Sequence, residues 1–200
     1  MTTSFTIENI ESVLYKDKAS KFIGFAYHVK DENDIKERLD YVKSLHPKAT
    51  HHCYAYRIGS DKNNFRANDD GEPNGSSGKP ILGQIDSFGV TNCLVIIVRY
   101  FGGTKLGVPG LISAYNETAK ETMASTQIIE HKILAHYKIT CDYTDVNRIY
   151  QLIHNLKAIL AEQHLDNWST FIIAVEQNKA TNLESILTEE QIEFVFSGRK

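Results

Sequence analysis

Residues 91–111 read TNCLVIIVRYFGGTKLGVPGL, and three regimes meet in that stretch. From Thr91 to Tyr100 the chain is apolar on both faces, the pattern of a strand buried on both sides within a sheet. FGGTKLGVPG then concentrates glycine into a tight turn. From Pro109 to about Ser125, Leu111, Ile112, Tyr115, Thr118, Ala119, Thr122 and Met123 recur at helical spacing and give a broad apolar face. Pro109 suits the first helical position, where its missing N–H is not needed. A buried central strand, a glycine-rich turn and a helix form the kernel of a mixed domain of sheets and helices.

Reading outward, residues 11–16 and 20–30 have strand character, and Gly24 marks a bulge in the second. From Asp31 the period lengthens. Ile35, Leu39, Val42 and Leu45 predict a helix capped by Asp31 or Asp34 and stopped by Pro47. Residues 50–59 read as a strand, 60–80 as a long loop of turn residues, and 81–88 as a short helix. Beyond the kernel, 127–132 reads as a linker. Then follow strand 133–142, helix 144–155 capped by Thr144, strands 157–165 and 168–177, helix 181–190 opened by a Thr181/Glu184 capping box, and strand 192–197. A βαββαβ order in so few residues is the ferredoxin-like arrangement. The expected fold is therefore α+β in two domains, 1–130 and 131–200.

The chain has 22 basic and 25 acidic residues, a net charge of −3, and 42% hydrophobic residues. That balance excludes a disordered or collagen-like chain, and there is no global basic field to attract nucleic acid. Any such contact must be a local patch, and the region after residue 130, with seven basic and nine acidic residues, is the poorer place for one. The longest wholly apolar run, Cys93 to Val98, is far too short to span a membrane. MTTSFTIENIES lacks the basic and apolar regions of a secretion signal, and Cys53, Cys93 and Cys141 are odd in number and widely spaced. A cytoplasmic location with reduced thiols is the expectation.

Neither glycine-rich segment is a Walker A loop, because Gly107 is followed by Val108-Pro109 and Gly78-Lys79 by Pro80. Still, a strand ending in Arg99, a Gly102-Gly103 turn with Lys105, and a helix start suit an anion. Glycines that merely permit a tight turn are the competing explanation. His51, His52 and Cys53 alternate across a strand, so only His51 and Cys53 could converge, and no metal set is expected. Asp69-Asp70-Gly71-Glu72 lacks the alternation of a calcium loop and reads as solvated loop acids. Tyr54, Tyr56, Arg57, Tyr100 and Phe101 interleave aromatics with arginine, as in single-strand binders and equally in cores; Arg57 is the best candidate for exposure. No catalytic signature, metal or cofactor is expected.

THHCYAYR (50–57), DDGEPNGSSGKPIL (69–82) and LVIIVRYFGGTKLGVPGL (94–111) together resemble the IMPACT family of the bacterial YigZ/YvyE type, in family order and spacing. SKFIG (20–24) fits the family's early strand, and residues 133–197 look like the small second domain of bacterial members. Asp69, Asp70, Gly71, Glu72, Pro73, Gly78, Pro80, Tyr100, Phe101 and Gly110 fall on the family motif. Ser76-Ser77, Tyr54 and Pro109 depart from its usual residues. The resemblance implies a first domain like the second domain of ribosomal protein S5 and a second domain like domain V of elongation factor G.

The expected function is a non-enzymatic regulator of translation. It would bind RNA or ribosome-associated partners through Arg57, Lys79, Arg99 and Lys105, with Gly102, Gly103 and Gly107 letting backbone approach phosphate. Binding of a small phosphorylated ligand, with or without turnover, and a pure protein-interaction module are the alternatives.

Overall fold

The computed structural model describes residues 3–59 and 63–199. Its strands are β1 (Thr3–Ile7), β2 (Ile10–Asp17), β3 (Ser20–His28), β4 (His51–Ile58), β5 (Asn64–Asn68), β6 (Cys93–Tyr100), β7 (Ile128–Lys132), β8 (Leu134–Asp142), β9 (Ile159–His164), β10 (Trp168–Glu176) and β11 (Glu193–Arg199). Its helices are α1 (Glu32–Leu45), α2 (Gly78–Ser87), α3 (Gly107–Ala124), α4 (Val146–Leu156) and α5 (Gln177–Glu189). Among the described residues the chain divides into one unit of Phe5–Glu130 and another that holds residues 131–199 together with Thr3 and Ser4.

In the first unit five strands lie in the order β2-β3-β6-β4-β5. Every pairing is antiparallel. The central strand is β6, where Cys93 to Val98 are fully buried. Its two faces feed separate cores. Cys93, Val95 and Ile97 pack with Cys53, Ala55 and the apolar faces of α2 and α3. Leu94, Ile96 and Val98 pack with Phe25, Tyr27 and Ile35, Leu39 and Val42 of α1. A strand with helices on both faces loses its alternation of apolar and polar residues, and that is why this one reads as a continuous apolar run.

Asp31 is the N-cap of α1. Its carboxylate accepts from the amides of Asn33 and Asp34, at 2.8 and 3.0 Å. Asp34 instead accepts from the Lys30 amide. α3 lies on β3 at a notch. A Cβ at Gly24 would stand 1.9 Å from Thr122 Oγ1 and 3.4 Å from Thr118 Cγ2. Both threonine hydroxyls donate to carbonyls one turn back, Thr122 to Thr118 and Thr118 to Ala114. Gly24 thus serves close helix packing and not a bulge; the register shift of this hairpin lies on β2, between Ile10 and Val13.

In the second unit the order β11-β8-β10-β9 is antiparallel throughout. Tyr137, Ile139, Phe171, Ile173 and Val175 of its strands pack with Ile149, Leu183 and Leu187 of α4 and α5.

Several local expectations are corrected. Residues 128–132 are a strand paired with β1, not a linker. Within the long loop, Asn64–Asn68 forms an edge strand, and α2 begins at Gly78. Residues 60–62 of that loop lie outside the described residues. α3 begins at Gly107, so Pro109 is its third residue. Asp142, not Thr144, caps the turn that leads into α4. α5 begins at Gln177, so Thr181 lies inside it, and Glu184 accepts from the Tyr137 hydroxyl at 2.5 Å.

Candidate functional site

The acidic segment after β5 is built around one carboxylate. Asp69 Oδ1 accepts from the Ser77 amide, the Ser77 hydroxyl and the Gly78 amide, at 3.0, 2.7 and 2.8 Å, and Oδ2 accepts from the Gly75 amide at 2.8 Å. Two of those amides, of Ser77 and Gly78, sit at the start of α2, so Asp69 does the work of a cap from outside the helix. Burial alone would raise its pKa, but the hydrogen bonds from Gly75, Ser77 and Gly78 outweigh it and hold the carboxyl below its usual range. Gly78 must be glycine, since a Cβ there would stand 2.5 Å from the Asn68 amide nitrogen.

That turn delivers Glu72 inward. Its side chain is only 3% exposed and pairs with Arg99, itself 7% exposed. Arg99 Nη1 donates to Glu72 Oε1 at 2.6 Å, and the Tyr115 hydroxyl donates to the same oxygen at 2.9 Å. Cys53 Sγ lies 3.3 Å from the Tyr115 hydroxyl and donates to the Asp69 carbonyl. Burial pushes the Cys53 thiol up to about 12 and raises the Tyr115 hydroxyl as well, so both stay protonated donors at neutral pH. The expectation of solvated loop acids is therefore corrected for Asp69 and Glu72. Among the described residues no group of three or more metal-type ligands converges.

Around this pair opens a cleft of about 460 Å³, lined by Thr50, His51, Glu72, Pro73, Arg99, Phe101, Lys105, Leu106, Gly107, Val108 and Leu111. Arg99 reaches it from the end of β6, with its guanidinium 5.5 Å from the ring centres of both Phe22 and Phe101. Phe101 is 46% exposed. His51 Nδ1 lies 2.7 Å from the Asp70 carbonyl, which can only accept, so Nδ1 carries the proton and Nε2 faces Glu72 at 3.8 Å. α3 opens at the cleft with no side-chain cap and no acidic residue in its first turn.

Of the four predicted cations, only Arg99 and Lys105 line the cleft. Arg57 does not. It pairs with Cys93, whereas Arg99 pairs with His51, which puts the two arginines six strand residues apart, about 20 Å. Arg57 is also not free, because its Nε and Nη2 donate to Asp86 at 2.7 and 2.9 Å and its guanidinium covers Phe65. Lys79 is exposed on α2, over Gly75 and away from the cleft lining. Gly102 is required by packing, since a Cβ there would meet the Ala19 carbonyl oxygen at 1.9 Å. Gly103 and Gly107 adopt φ of +86° and +73°. Tyr100 points to the opposite face and bonds to His46. Sequence reasoning missed Glu72, His51 and Tyr115 as parts of one network. The signal available was a glutamate within a glycine-rich turn, and only a distant arginine gives it meaning.

The Impact N-terminal domain model matches residues 18–123. The IMPACT family member YvyE of Bacillus subtilis is 32% identical over 170 residues, covering 85% of this chain and 78% of its own length. The IMPACT family member YigZ of Escherichia coli is 33% identical over 144 residues, 71% of each chain. A crystal structure of a hypothetical protein superposes with a TM-score of 0.76 at 26% identity, over 98% of this chain and 97% of that one. No helix among the described residues is long and apolar enough to cross a membrane. A two-domain α+β chain carrying these motifs in order, with these relatives, belongs to the IMPACT family.

Proposed function

We propose that the protein is a non-enzymatic regulator of translation that binds RNA, or a ribosome-associated partner, through the cleft beside the glycine-rich turn. The observation that carries this reading is Phe101, an exposed aromatic ring beside Lys105 and the uncapped start of α3. An accessible ring next to a free cation suits an unpaired base and its phosphate. Among the described residues no ion pair holds Lys105. Kinship to the second domain of ribosomal protein S5 and to domain V of elongation factor G, which the resemblance implies, favours the same class of partner, and a cytoplasmic location is part of this proposal. The β11-β8-β10-β9 order with two helices on one face is compatible with the second of these.

RNA affinity measured against salt tests this for the wild type and for Phe101→Ala and Lys105→Ala, both at exposed positions. Removing the lysine should lower the salt slope by about 0.7 for one single-strand phosphate contact. Removing the ring should weaken binding by roughly 1–3 kcal/mol, the range for a stacked base. Affinity unchanged in both variants refutes the cleft as the contact, and no binding to RNA or ribosomes refutes the broader reading.

A further inference from the structure

Arg99 is a buried cation whose hydrogen bonds are left incomplete. Its Nε is buried without an acceptor, and its Nη2 has only a 3.5 Å contact with Ser20 Oγ. Glu72 occupies Nη1 alone. A buried guanidinium normally uses most of its five donors, so this one has capacity in reserve. It lies in the lining of a cleft that also holds Lys105 and the first residues of an 18-residue helix with no cap of its own. Glu72 offsets one of the two full charges; Lys105 and the helix terminus leave the cleft net positive. Phe101, Leu106, Val108 and Leu111 supply an apolar wall. The residues therefore call for an anion attached to a flat or apolar body.

We propose that this cleft takes a terminal phosphate monoester, the end of an RNA strand, in preference to phosphates within a strand; the proposal rests on the RNA reading above. The reason is access. Arg99 is 93% buried, being 7% exposed, and a phosphodiester could approach it only if the nucleotides on both its sides entered the cleft. At about 460 Å³ the cleft is at the small end of ligand sites. A terminal phosphate enters with a single nucleotide behind it, whose base can lie on Phe101. Charge points the same way, since a phosphate monoester carries roughly −1.5 to −2 at neutral pH against one charge for a diester. Free nucleotides share this chemistry, and the test separates the two sources.

Fluorescence anisotropy on the full chain would compare one oligoribonucleotide sequence bearing a 5′-phosphate, a 3′-phosphate, or hydroxyls at both ends. Nucleoside monophosphates would serve as separate ligands. One of the phosphate-ended strands should bind about tenfold more tightly than the hydroxyl-ended strand, the gain from one charge-assisted hydrogen-bonded contact. Lys105→Ala should remove most of that gain, and so should Val108→Glu, which places a carboxylate on the apolar wall. Melting curves matching the wild type would show that both variants fold. Equal affinity for all three strands overturns the proposal and leaves RNA binding standing. Binding of nucleoside monophosphates with no strand bound overturns both the RNA reading and the strand-end assignment, and a silent screen does the same.

Discussion

Replacing Glu72 with glutamine removes one charge and almost nothing else. The amide oxygen can still accept from Arg99 and Tyr115, so shape and hydrogen bonding survive while the guanidinium loses its counter-charge. Both side chains are more than nine-tenths buried and meet at 2.6 Å. Breaking such a pair typically costs about 3–5 kcal/mol, because the remaining charge is stranded in the interior. At roughly 4 °C per kcal/mol for a domain of this size, the transition of the first unit should fall by about 12–20 °C. Scanning calorimetry of the full chain would read this directly. Arg99→Met should be comparably destabilising, since it strands Glu72 instead. The double variant should then be much less unstable than the two losses added together, with a coupling of about 2 kcal/mol or more. A loss below about 1 kcal/mol for Glu72→Gln, or strict additivity in the double variant, would refute the claim that each charge exists for the other.

Other perturbations separate the remaining roles. Asp69 has a depressed carboxyl pKa, so its contribution to stability is complete above the ordinary carboxylate range and is lost as pH falls through the depressed value. Urea titrations between pH 2 and 5 should show a flatter pH dependence for Asp69→Asn than for the wild type. Gly102→Ala should destabilise by about 3 kcal/mol or more, because its methyl group meets the Ala19 backbone. Gly103→Ala, which faces open space and is strained only by its positive φ, should cost about 1–2 kcal/mol. A Gly103→Ala loss as large as that of Gly102→Ala would contradict the difference in packing. All three cysteines are buried, and burial raises each thiol pKa, so a disulfide reagent at pH 8 should label none within minutes in the native protein and all three in denaturant.

What the sequence made legible was periodic. β6 and α3 announce themselves because burial on two faces, or on one helical stripe, repeats at a fixed interval. α1 also carries its own start signal in Asp31. The candidate site is legible only in fragments. Arg99, Lys105 and the glycines are visible as a cluster, but Glu72 reads as one more acid in a polar loop. Its partner lies 27 residues away, and no local period connects them. The same gap hides β5, whose residues Asn64–Asn68 have loop composition and are held as a strand by pairing with β4. Arg57 and Arg99 sit on neighbouring strands with the same face parity, which makes them look like partners; antiparallel register sends them to opposite ends of the sheet.

The notch at Gly24 reaches further than the packing it permits. Thr122 sits there fifteen residues along α3 from Gly107, about 22 Å of helix. A rigid rod pinned at its far end cannot slide along the sheet, so the gap between the start of α3 and Arg99 is gauged from the opposite side of the domain. A methyl group added at position 24 would push on that rod and change the width of the cleft without touching any residue that lines it. The width of the cleft would then be open to adjustment from a strand position outside its lining.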